Sequence, residues 1–163
     1  MDLREVNLDF SFQNFFDVDF SGLNFYESFI VGTFFLGCQF VNSNHIEVDL
    51  IDVSFENCEI GQSSFWGGVA SKVTFTKCNI YELTLSMDKC RKLVFKDCDF
   101  EGPDFSVHKS IRKATISFEN CRFSEDLVDS IRLMKGRFNF NNCKIKKFEK
   151  TKGKSYKAVL LDF

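Results

Sequence analysis

A five-residue beat runs along most of this chain and excludes most other folds. Every fifth residue from Phe10 reads Phe10, Phe15, Phe20, Phe25, Ile30, Phe35, Phe40, His45, Leu50, Phe55, Ile60, Phe65, Ala70, Phe75, Ile80, Leu85, Cys90, Phe95, Phe100 and Phe105. Two residues before these large positions sit smaller ones, among them Val18, Thr33, Cys38, Ser43, Val48, Cys58, Ser63, Cys78 and Cys98. Neither a helix period nor simple strand alternation sustains such a beat over twenty units. A 20-residue superperiod is laid over it. It puts Phe15, Phe35, Phe55, Phe75 and Phe95 in one column and Phe20, Phe40, Ile60, Ile80 and Phe100 in the next. Phe25, His45, Phe65, Leu85 and Phe105 form a third column, and Phe10, Ile30, Leu50, Ala70 and Cys90 a fourth. Four pentapeptides thus make one turn. A turn buries little by itself, so its neighbours must supply the core.

Composition agrees with a β architecture. The 163 residues include 22 Phe and a single Pro, which suits aromatic stacking across strands better than a helical bundle. No run approaches the length of a membrane span, and the start MDLREVNLDF lacks the apolar stretch of a signal peptide. A cytoplasmic location is therefore expected, where thiols stay reduced.

Units such as SFENC, DFSGL and CNIYE read small, polar, large, polar, polar. In this the chain resembles the pentapeptide-repeat proteins, over roughly residues 6–107 in register and more loosely to about 148. The resemblance implies an all-β single domain, a right-handed quadrilateral β-helix of about seven coils, with the large and small positions turned inward. Residues 1–9 are expected to cap the N-terminal end, and 10–148 to form the solenoid, in strict register to 105. The block FxxCx[FI] recurs at Phe118 and Phe140, after steps of 23 and 22 residues, so irregular corners are expected near 106–117 and 125–137. Residues 149–163 leave the repeat with an apolar pattern, as a terminal strand or short helix that caps the open edge or contacts a second copy in a homodimer.

Cys38, Cys58, Cys78 and Cys98 lie 20 residues apart and fall in one inward column, which Cys121 and Cys143 extend. A straight row with parallel Cβ vectors suits neither disulfide geometry nor tetrahedral zinc, and a buried Cys behaves as a small hydrophobe. No metal, cofactor or catalytic residue is expected. His45 replaces an aromatic in an apolar column and is expected to be an inward or corner residue without access; His108 is expected to be exposed. No nucleophile or acid/base pair has the spacing of a catalytic constellation, and GTFFLG fits no phosphate-binding loop, so the chain is not expected to be an enzyme.

Function is expected on the outside. Tyr26, Ile46 and Trp66, 20 residues apart, are predicted to stack as an outward apolar-aromatic stripe. Phe34 and Leu36 are also predicted to face outward, and Glu27, Glu47, Asp49 and Asp52 to rim the stripe. An apolar patch bordered by acids suits a protein interface. Residues 1–60 hold eleven acids against Arg4, net −10, whereas 109–163 hold fourteen Lys/Arg against six acids, net +8. The lysines of the C-terminal end (Lys144, Lys146, Lys147, Lys150, Lys152, Lys154, Lys157) lack the interleaved aromatics of a nucleic-acid platform and read as a solvated, edge-protecting run. In core pattern only, the chain also resembles quinolone-resistance-type members, acidic mimics of duplex DNA that engage gyrase or topoisomerase IV. The resemblance implies a protein-binding inhibitor or protector of a nucleic-acid-handling complex, by topoisomerase modulation or as a phage-encoded inhibitor of defence. The alternative is a scaffold that docks one protein partner through the stripe.

Overall fold

A computed structural model describes residues 8–107, 115–135, 138–150 and 156–162. Expectations for residues 1–7, His108 and its neighbours to 114, and Lys152 and Lys154 lie outside the described residues. The chain is a four-sided β-solenoid of about six turns. We label its sides by their inward columns: face A follows Phe15, face B Phe20, face C Phe25 and face D Ile30.

The predicted columns are the observed ladders. On face A seven parallel strands put Phe15, Phe35, Phe55, Phe75, Phe95, Phe118 and Phe140 in register. Their rings stack 4.7–5.2 Å apart and within 13° of parallel. That separation matches the spacing of adjacent strands, so each ring sits directly on the one before it. Face B continues through Phe40, Ile60, Ile80, Phe100, Phe123 and Ile145. Face C pairs Phe25, His45, Phe65 and Leu85. Face D pairs Ile30, Leu50, Ala70 and Cys90 in a four-stranded sheet.

Two backbone devices turn the chain at each corner. The second residue after a large position adopts left-handed φ, as at Asp17, Glu27, Asn42, Glu47, Asp52, Asn57, Lys77 and Asp97, and no Val, Ile or Thr occupies such a corner among the described residues. A β-branched side chain is strongly disfavoured in that conformation. The small inward position supplies a donor. The Cys58 thiol lies 3.3 Å from Glu56 O and 3.5 Å from Phe35 O, and Ser63 Oγ lies 2.7 Å from Gly61 O and 2.9 Å from Phe40 O. The same contacts recur at Thr33, Cys38, Cys78, Cys98, Cys121 and Cys143. Cys, Ser and Thr at this position therefore do more than fit: each can donate a second hydrogen bond to a corner carbonyl, such as Glu56 O or Gly61 O, that already accepts a backbone N–H from the preceding turn. All seven cysteines are free and buried.

The register departs from the expected beat in one place. Pairing shifts between Tyr81 and Leu83, so Phe105 sits opposite Leu83, and Val107 opposite Leu85. Two extra residues enter at Gly102–Asp104, earlier than the expected irregularity at 106–117; one more falls between Val107 and Thr115. Gly102 takes φ +81°, and Pro103 lacks the N–H that an uninterrupted ladder would use. The second irregular segment is helical rather than a bulged corner: a 3-10 turn at Glu125–Leu127 runs into an α-helix at Val128–Lys135, and buried Leu127 and Ile131 anchor it to the core. At the C-terminal end Tyr156–Asp162 is a strand, antiparallel to Lys144–Lys150. It adds one further rung on face B.

Candidate functional site

The outward surface of face C is built by the same register as the core behind it. Asn24, Asn44, Ser64 and Thr84 line up on one edge, and Tyr26, Ile46, Trp66 and Ser86 on the other. The first line bonds within itself: Asn44 Nδ2 donates to Asn24 Oδ1 at 3.1 Å, and Ser64 Oγ donates to Asn44 Oδ1 at 3.1 Å. The second is the expected apolar-aromatic stripe, with Trp66 56 % exposed. It borders the corner between faces C and D, where Glu27 and Glu47 stand one above the other. Each corner N–H bonds to the next turn, Glu27 N to Ile46 O at 2.9 Å and Glu47 N to Trp66 O at 2.7 Å. Neither carboxylate has an ion-pair partner among the described residues.

The other expected site residues lie elsewhere. Asp49 is on face D, half-buried, and accepts the Val69 N–H at 2.9 Å. Asp52 is at the corner between faces D and A, 3.1 Å from Lys72 Nζ. Phe34 and Leu36 point out of face A, on the side of the rod opposite the stripe, where Phe34 meets Phe16 edge-on at 6.4 Å. The expected residues therefore form two groups. Tyr26, Ile46, Trp66, Glu27 and Glu47 belong together; Phe34 and Leu36 do not join them, because two corners intervene.

Behind the stripe lies a polar chain that the sequence reading missed. His45 is buried between Phe25 and Phe65, its ring 4.6 and 4.2 Å from theirs and within 10° of parallel. It has an orienting partner: Nε2 is 3.0 Å from Ser43 Oγ, which is 3.1 Å from Ser63 Oγ. Ser63 has one hydroxyl proton and two backbone carbonyls within reach, so it accepts from Ser43. Ser43 then accepts from an Nε2–H imidazole, and the unpaired Nδ1 is a bare lone pair rather than a stranded donor. Burial pushes the His45 pKa down to about 3, so the ring is neutral at pH 7. The detectable signal was Ser43 two residues before His45, with Ser63 a full turn away.

Chemistry elsewhere is balanced or inert. An open groove of about 310 Å³ is lined by Asp97, Asn120, Arg122, Asn142, Lys144 and Leu160. Arg122 is paired with Asp99 there, and Lys144 with Asp162. Lys146 and Lys147 reach Glu101 at 3.0 Å and Glu125 at 3.2 Å, so much of the described basic end is internally neutralised. Burial alone raises the Cys90 thiol to about 11, far from thiolate reactivity. Among the described residues no group of three His, Cys, Asp or Glu side chains converges as a metal site. No helix there is long and apolar enough to cross a membrane.

No protein-family model matches this sequence, and no curated protein matches it. Among solved structures the chain is similar to trypsin-treated QnrB1, a plasmid-mediated fluoroquinolone resistance protein, with 16 % identity, 87 % of this chain and 85 % of that chain covered, and a TM-score of 0.36. The fold assignment rests on the strand pairing above: a four-sided β-solenoid built from a 20-residue turn of four pentapeptides.

Proposed function

We propose that this chain is a non-enzymatic, protein-binding rod whose face C docks one partner protein, and that it is a member of the pentapeptide-repeat family. The observation that carries the docking role is the register line of half-buried Tyr26 and Ile46 and exposed Trp66, beside two carboxylates that nothing described neutralises. Aromatic residues in such a setting are typical interface anchors. Family membership is supported by the four inward columns and the left-handed corners. A cytoplasmic location accords with seven free thiols. A homodimer through the C-terminal strand is supported by exposed Leu160 and Leu161.

A second role, inhibition or protection of a nucleic-acid-handling complex by acidic mimicry of duplex DNA, is favoured by charge. Residues 8–66 carry nine acids and no Lys or Arg. Against mimicry, those acids are divided among faces A, B and D and three of the corners. Asp52, Asp49 and Glu59 are also engaged with Lys72, Val69 N–H and the Tyr81 hydroxyl.

Affinity capture from lysate of the source cells, with and without DNase, tests both. Docking through the stripe predicts a captured protein that survives DNase, resists moderate salt and is lost with Trp66→Ala. Mimicry predicts loss with Glu27→Lys plus Glu47→Lys and strong weakening by salt. A partner indifferent to all three substitutions overturns both roles.

A further inference from the structure

Exposed large hydrophobic residues are distributed unevenly along the rod. Phe12 is 81 % exposed, Phe16 56 %, Phe29 50 % and Trp66 56 %. Between Gly67 and Glu125 no described large hydrophobic side chain is exposed, and the next ones are Phe148, Leu160 and Leu161 of the C-terminal hairpin. The first group does not share a side. Phe12 is at the corner of faces D and A, where its ring covers Gly32; Phe16 projects from face A, Phe29 from face D and Trp66 from face C. Half-buried Val31 and Ile51 on face D, and Phe34 and Leu36 on face A, fill the gaps between them. Face B stays polar over the same turns, with Asp19, Ser21, Gln39 and Glu59 outward and only Val41 apolar.

Resting on the docking role above, we infer that the partner is a protein with a concave, cationic groove that takes in faces C, D and A of the N-terminal half and leaves face B open. A flat partner on face C would leave Phe12, Phe16 and Phe29 in water, more apolar surface than scattered single residues explain. The groove must be cationic because residues 8–66 hold nine acids and no base, only Asp19 and Glu59 of them on open face B, and Glu27 and Glu47 stand unpaired, among the described residues, within the apolar belt. Beyond Lys72 the outward columns turn to Thr74, Thr76, Lys77, Lys89, Arg91 and Lys96. A cationic wall would repel these, which limits insertion to the first half.

Single-site photo-crosslinking in the source cells tests this. Benzoylphenylalanine replaces Phe12, Phe16, Phe29 or Trp66 one at a time, with Lys89 and Lys96 as controls on faces D and A, and circular dichroism verifies each fold. The expected result is one protein captured from all four belt positions and from neither control, with the crosslinked segments rich in Lys and Arg. Capture from Trp66 alone overturns the groove and leaves docking on face C standing. Capture from the other three without Trp66 overturns both. A product of twice the chain's mass shows that a second copy covers the belt and overturns the groove, as does a crosslinked segment that is acidic. Silence at every position overturns groove and docking together.

Discussion

The imidazole of His45 lies 4.2 Å from the ring of Phe65, one residue behind the exposed Trp66, so the inner stack and the outer stripe share a backbone. Phe25 stands behind Tyr26 in the same way. A change in this stack therefore reaches the proposed docking face directly.

His45 makes stability pH-dependent. The unfolded chain binds a proton on His45 near the ordinary value of 6.5, whereas the folded chain resists it down to about 3. Stability from this residue is thus complete above 6.5 and falls as pH drops through the window to 3, by about 1.4 kcal/mol per unit. Urea titrations at pH 7 and pH 5 are expected to differ by about 2 kcal/mol from this residue. His45→Phe should remove that component. An unchanged pH 7 to pH 5 difference in the variant would show that His45 is not its source.

Inward and outward phenylalanines should differ sharply. Phe55→Ala removes a ring stacked between Phe35 and Phe75 and is expected to cost about 3–5 kcal/mol. Phe16→Ala, at an exposed position, is expected to change stability by no more than about 0.5 kcal/mol. Denaturant midpoints measured side by side check the contrast.

Gly68 tolerates no side chain. It has φ +61°, and an added Cβ would lie 2.8 Å from Val48 C and N and closer still to the Val48 carbonyl oxygen, all backbone atoms. Gly68→Ala is expected to lose about 3 kcal/mol or more, from left-handed strain together with overpacking. Gly22→Ala is the control: φ is again positive, but nothing lies within 4 Å, so only the strain is expected.

Thiol access follows from the corner geometry. All seven cysteines are buried, so a thiol reagent at pH 8 should label the native protein slowly and the denatured chain completely. Cys58→Ser keeps a donor for Glu56 O and Phe35 O, as Ser63 does for its own corner, and should lose less stability than Cys58→Val. Equal losses would mean that size alone governs the column.

The ladders were legible in the sequence because one period dictates both which residues turn inward and which stack. Phe105 was misplaced because it keeps the five-residue count, while the two residues admitted at Gly102–Asp104 shift the backbone beneath it. The helix at Val128–Lys135 is too short to impose a period of its own against the repeat. For the site, parity showed that Phe34 and Tyr26 face outward. Which side each occupies depends on counting corners, and that count puts them on opposite faces. Ser43 and Ser63 were read as small, although their hydroxyls were the clue to His45.

On faces A and B successive turns meet largely through like residues, Phe75 on Phe55 and Ile80 on Ile60, with Cys78 above Cys58, while faces C and D accept unlike residues from turn to turn. Length is consequently a free variable of this architecture. Duplicating the 20 residues from Val53 to Lys72 would repeat the Phe-on-Phe and Ile-on-Ile contacts of faces A and B, pair Phe65 with Phe65 and Ala70 with Ala70 on faces C and D, and move the basic half away by one rung, about 4.8 Å. The distance between the acidic belt and the lysine-bearing end can thus be set in whole-turn increments, leaving the shape of either end unchanged.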